Sequence, residues 1–157
     1  MKLGDILDAA NVMAEIQAHD KEGVLKEMTA HLCRSLEPPA PGETEIFAAI
    51  LERERLGSTG VGQGVAIPHA RMGGVPELVA CFGRSKTGIA FDAIDQQPVS
   101  LFFLLLVPEG GAGSHLKALA RVARLLKNDD FRKALARLAD AGAIYRALIE
   151  EDAKVSP

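Results

Sequence analysis

The chain has 157 residues, 48% of them hydrophobic, enough to bury one substantial core and to predict a single domain over residues 1–157. Its formal net charge is −3, and Lys and Arg are scattered through the sequence, so it carries no basic stripe of the kind nucleic acid selects. Residues 99–107 form the longest apolar run and stop at Pro108, far short of the roughly 20 residues needed to cross a bilayer.

Residues 1–15 alternate apolar and acidic positions with no basic segment leading into an apolar one, which predicts no export and a cytoplasmic protein. Asp20 is placed to cap a helix whose apolar positions Val24, Leu25, Met28 and Leu32 recur at helical spacing, ending near Leu36. Pro38, Pro39 and Pro41 break that helix from a second one carrying Ile46, Phe47, Ile50 and Leu51. The second helix runs into Arg53, Arg55 and Gly57: cations over the last carbonyls, then a glycine free to take positive φ. Residues 65–67 predict a short strand stopped by Pro68, with His69 just past its end. Further strands are predicted at residues 78–83 and 99–107, the latter apolar enough to be covered on both faces. Ser114 then caps a helix with the stripe Leu116, Leu119, Val122, Ala123 and Leu126, and two more helical segments follow around residues 131–138 and 144–149. Helices interleaved with strands predict an α/β fold, a β-sheet with helices on both faces. Cys33 and Cys81 stand alone among apolar neighbours and read as reduced thiols.

Three features converge on one place. Residues 57–64 read Gly-Ser-Thr-Gly-Val-Gly-Gln-Gly, and glycines at 57, 60, 62 and 64 let successive backbone N–H groups turn toward one anion. His69 follows the next strand. His115, in the first helical position after Ser114, would sit where a helix N-terminus disfavours an imidazolium, so that a neutral ring donates one hydrogen bond to a phosphoryl oxygen. Arg53 offers a planar fork of donors to the same oxygens. A neutral His69 then has a lone pair for phosphorus, and such a site needs neither metal nor cofactor. Other chemistries fit poorly. No lysine follows the glycines as a Walker A loop requires, Val65 stands where a dinucleotide loop needs its last glycine, and no serine lies in a Gly-x-Ser-x-Gly elbow. Zinc would require folding to bring His69 and His115 together, and His19 and His31 read as surface residues without context.

Residues 53–69, Arg-Glu-Arg-Leu-Gly-Ser-Thr-Gly-Val-Gly-Gln-Gly-Val-Ala-Ile-Pro-His, resemble the active-site segment of phosphotransferase-system IIA proteins of the fructose, mannitol and nitrogen-regulatory class. Residues 89–99, Ile-Ala-Phe-Asp-Ala-Ile-Asp-Gln-Gln-Pro-Val, with residues 104–108 and the His115-Leu116 pair, are most similar to the nitrogen-regulatory branch. The resemblance implies a mixed sheet flanked by helices and a phosphohistidine carrier rather than a free-standing turnover enzyme. It implies that His69 accepts phosphate from an HPr-like carrier, with Arg53 and His115 in support and Ser58, Thr59, Gly60, Gly62 and Gly64 in the active-site loop. Ala70 departs from the glycine common after that histidine. The implied partners are the donor and regulatory target proteins, or a IIB domain if the chain serves sugar transport. With no IIB or IIC segment alongside, a regulator is expected; a module that binds partners without phosphate is the alternative from another class.

Overall fold

The structure, a computed structural model, describes Met1–Val155; residues 156–157 of the expected domain lie outside the described residues. A 3-10 turn at Leu3–Asp5 leads into β1 (Leu7–Met13), followed by α1 (Lys21–Cys33) and α2 (Glu43–Leu56). The chain then runs through β2 (Gly60–Gly62), β3 (Val65–Ala66), β4 (His69–Met72), β5 (Val79–Ile89) and β6 (Val99–Pro108). It closes with α3 (Ala112–Leu125), α4 (Asp129–Arg137) and α5 (Ala141–Ala153).

The core is organised by β6, whose residues 101–107 are all buried. Successive side chains of a strand point to opposite faces. Leu101, Phe103, Leu105 and Val107 therefore pack on one side with Val122, Leu135 and Ile144 of the last three helices. Phe102, Leu104 and Leu106 pack on the other with Leu25 and Met28 of α1 and Ile50 of α2. The sheet is mixed, in the order β1-β5-β6-β3-β2, with β4 also paired to β6. β1 runs parallel to β5, β5 antiparallel to β6, and β3 and β4 parallel to β6. Helices on both faces of a mixed sheet match the expected class.

Several local expectations change. Strand β1 was hidden because its register on β5 shifts between Leu7 and Val12, which destroys the two-residue alternation. Asp20 does cap α1, its carboxylate accepting from Gly23 N at 2.7 Å, but the helix ends at Cys33, where the Ser35 hydroxyl donates to the Leu32 carbonyl at 2.9 Å. Gly57 has φ 163°, extended backbone, so the positive φ expected of it is not used. Helix α3 begins three residues before His115, at Ala112, with Gly111 as its N-cap. Ser114 thus lies inside the first turn, and the His115 N–H already donates to the Gly111 carbonyl at 2.8 Å.

The largest correction concerns His69. The strand predicted at 65–67 does not stop at Pro68. Val65 and Ala66 lie opposite Leu101 and Phe102, and His69 and Ala70 lie opposite Leu105 and Leu106, with no slip in register. Pro68 has no N–H to give, but its carbonyl accepts from Leu105 N at 2.9 Å. The two pieces are one strand interrupted at the proline, and His69 stands on the sheet.

Candidate functional site

A cavity of ≈430 Å³ opens where α2, β4 and α3 meet, and His69, His115, Arg53, Arg71 and Leu56 line it. Each side chain arrives by a different device. Arg53 lies in the last turn of α2, its Nη1 donating to the Gly57 carbonyl at 2.9 Å, so the guanidinium folds over its own helix end and still faces the cavity. His69 and Arg71 are two apart on β4 and share its face, while buried Ala70 points into the core between them. Arg71 is exposed and has no ion-pair partner among the described residues. His115 comes from the first turns of α3, and the two imidazoles meet edge to face with centroids 5.0 Å apart.

The half-buried His69 ring is oriented by the backbone. Its Nδ1 lies 2.9 Å from the Ile67 carbonyl, and a carbonyl only accepts, so Nδ1 carries the proton and Nε2 keeps the lone pair. Burial pushes the His69 pKa below the ordinary value; the Ile67 carbonyl opposes this, Arg53 adds to it, and Glu54 opposes it. Burial also lowers His115, with His69, Arg71 and Arg53 pushing the same way. Both shifts favour the neutral ring. His115 Nδ1 is buried with no hydrogen-bond partner among the described residues, which leaves Nε2 as the nitrogen available to the cavity that the residue lines. A proton on Nε2 leaves Nδ1 a bare acceptor and gives the cavity a donor.

The glycine segment does something else. Ser58, Thr59, Gly60, Gly62 and Gly64 do not line this cavity. Thr59 donates both its N–H and its hydroxyl to the Glu54 carboxylate, which Lys21 approaches at 2.8 Å. Ser58 Oγ accepts from Gly60 N and donates to the Phe91 carbonyl. Gln63 and Gly64 form the two-residue turn between β2 and β3, with φ 58° and 79°, the pair of positive values a type I′ hairpin needs. Gln63 N donates to Asp95 at 3.0 Å. The N–H groups of Thr59, Gly60 and Gln63 are thus spent on Glu54, Ser58 and Asp95, and residues 60–66 form a hairpin beside the site.

Arg71 was missed. Reading residue 69 as a strand start, where alternation puts 71 on the same face, would have found it. His19 is exposed as expected, whereas His31 is half-buried with Nε2 2.7 Å from the Ala10 carbonyl, tying α1 to β1. Among the described residues no group of three or more His, Cys, Asp or Glu is placed to hold a metal ion.

The family described as "Phosphoenolpyruvate-dependent sugar phosphotransferase system, EIIA 2" matches residues 5–151. The chain belongs to this EIIA family. Among its relatives, a nitrogen regulatory protein of Bradyrhizobium diazoefficiens is 40% identical over 94% of this chain and 95% of its own length. A fructose-specific EIIABC component of Bacillus subtilis is 34% identical over 97% of this chain, which corresponds to 24% of that larger protein. The crystal structure of the nitrogen regulatory protein IIA-Ntr from Neisseria meningitidis superposes with a TM-score of 0.84 at 35% identity, covering 93% of this chain and 98% of that one. IIA mannitol from Escherichia coli shares the fold at 20% identity, with a TM-score of 0.74 over 90% of this EIIA chain and 97% of its own. Among the described residues no helix of this EIIA protein is long and apolar enough to cross a membrane.

Proposed function

We propose that this EIIA protein accepts a phosphoryl group on His69 Nε2 from an HPr-like phosphocarrier and regulates partner proteins by its phosphorylation state. The observation that carries the reading is the His69 ring, held by the Ile67 carbonyl through Nδ1 so that Nε2 keeps its lone pair at a cavity holding two arginines and a second neutral imidazole. As the donor's N–P bond breaks, its electron pair stays on the donor nitrogen while the Nε2 lone pair forms the new N–P bond. The transition state is loose, so positioning and charge do nearly all the work. Arg53 and Arg71 face the phosphoryl oxygens, and His115 donates from Nε2. Ser58, Thr59, Gly60, Gly62 and Gly64 support the reaction indirectly, by fixing the hairpin that leads into β3 and β4.

Leu56 and Leu116 border the cavity residues and are 83% and 68% exposed, an apolar rim on which a partner could seat. Phosphorylation adds nearly two negative charges there, so a partner that docks on the bare rim would meet repulsion and lost packing. Cytoplasmic residence goes with this reading, because phosphoenolpyruvate, which charges the system, is a cytoplasmic metabolite. A second reading, transfer to a fructose- or mannitol-type IIB, has the Bacillus subtilis relative in its favour.

The test is intact-mass analysis of wild type and His69→Ala after incubation with phosphoenolpyruvate, the general phosphotransferase enzyme and an HPr-like carrier. An acid-labile gain of about 80 Da, one phosphoryl group, is expected on wild type alone. No gain with a carrier that charges other acceptors would favour a phosphate-independent binding protein. Adding a purified IIB separates the two carrier readings.

A further inference from the structure

At the other end of β6 lies a second cavity, of ≈440 Å³, that the phosphotransfer reading does not use. It forms between the start of β6 and the end of α4, and Arg84, Ser85, Lys86, Ser100 and Arg137 line it with no carboxylate among the lining residues. Leu101, at its floor, is four residues from Leu105, the neighbour of His69, or about 13 Å along the strand. Three strand residues converge there because β5 bulges: Arg84 pairs with Leu101 but Ile89 already pairs with Val99. Four residues of β5 thus bow out opposite Ser100. Bulges of this kind re-aim side chains, and here they deliver Arg84, Ser85 and Lys86 to one hollow.

Two of these groups are unusual. Arg84 is only 3% exposed and has no acidic partner; its Nε donates to the Ala14 carbonyl at 3.0 Å and its Nη1 to the Leu135 and Leu138 carbonyls at 2.8 and 2.7 Å. A buried cation met only by neutral oxygens is costly. Nη2 has no hydrogen bond to any described residue, and Arg84 lines the cavity. Ser85 is likewise 3% exposed, and its hydroxyl has no partner among the described residues although it lines the same space. Arg137 is exposed with no ion pair among the described residues, and Lys86 has only Glu15, at 3.8 Å on the surface.

We propose that this cavity binds a small phosphomonoester. The charge that is missing is negative, and the donors identify its shape. Arg84 has spent the nitrogens that would make a two-pronged fork and offers Nη2 alone; Lys86 is a point charge; the Ser85 hydroxyl is a single donor. Single donors converging from several sides suit a tetrahedral dianion with three acceptor oxygens better than a planar carboxylate. The volume leaves room for an organic group beyond the phosphate.

The test uses the intact chain in two-dimensional amide NMR, titrated with inorganic phosphate, glycerol phosphate and succinate. Saturable shifts centred on Arg84, Ser85, Ser100 and Arg137 are expected with both phosphate probes and not with succinate. Lys86→Gln and Arg137→Gln, both surface changes, are each expected to weaken binding roughly tenfold, the loss of one charge-assisted hydrogen bond, without moving the melting temperature. Shifts confined to the His69 cavity, an equal response to succinate, or unaltered binding by both variants would overturn the proposal. Arg84→Lys supplies a further check, since a buried cation kept without its free Nη2 should fold and bind weakly.

Discussion

The hairpin of β2 and β3 and the strand β4 are separated by two residues, yet only β4 delivers side chains to the histidine cavity. The hairpin turns its polar groups inward, onto Glu54, Ser58 and Asp95, while β4 turns two cationic or titratable side chains outward around a buried alanine. Nearness in sequence to His69 therefore does not make a segment part of the cavity lining. The hairpin acts as a fixed support, anchored below by the Lys21–Glu54–Thr59 cluster, and the strand presents His69 and Arg71 to the cavity.

That division can be broken by substitution. Glu54→Ala should have the largest effect on the fold, because it strands the buried Thr59 hydroxyl and N–H together and removes the nearest carboxylate from the Lys21 ammonium. A loss of about 3 kcal/mol in urea unfolding is expected, with phosphorylation of the remaining folded protein preserved. Arg53→Gln should do the opposite, lowering the rate of phosphoryl uptake about a hundredfold with little change in stability. It should also shift the pH profile. Protonation consumes the His69 lone pair, so uptake falls as pH drops through the folded pKa, which lies below the ordinary 6.5. Wild type is thus expected to hold its rate down to that value, and removing Arg53, one of the groups that depress the pKa, should move the acid limb upward.

Arg71→Gln should cost about tenfold in the same uptake assay, since an exposed cation is partly screened by water. Gly64→Ala sharpens the comparison at the small end. An added Cβ would meet Ser100 Oγ at 3.5 Å and the Pro98 carbonyl oxygen at 4.0 Å, both ordinary contacts, so its cost is the positive φ of 79°, about 1 kcal/mol in unfolding experiments, with uptake unchanged. A marked loss of uptake in Gly64→Ala would show that the hairpin reaches the phosphoryl group after all.

Much of this was readable in advance, for physical reasons that differ by element. The run at 99–107 announced a doubly covered central strand because every residue in it but Ser100 is apolar, and the Asp20 cap and the stripes of α1 and α3 follow from local hydrogen bonding and helical period. His69, His115 and Arg53 were legible because their residue types have few uses together. The start of α3 was misread because Ser114 is a plausible cap, yet the chain turns helical three residues earlier after Gly111.

By itself, then, the sequence determined the fold class and the central strand, because these rest on local period, and its side-chain chemistry singled out two histidines and Arg53 that the fold brings to one cavity. Only the tertiary structure decided that Pro68 interrupts a strand without ending it, since continuity there depends on β6 supplying the partner N–H of Leu105. Only it brought Arg71 to the cavity and turned the glycine segment away, because which donors are already satisfied depends on Glu54 and Asp95, residues whose approach no local pattern encodes.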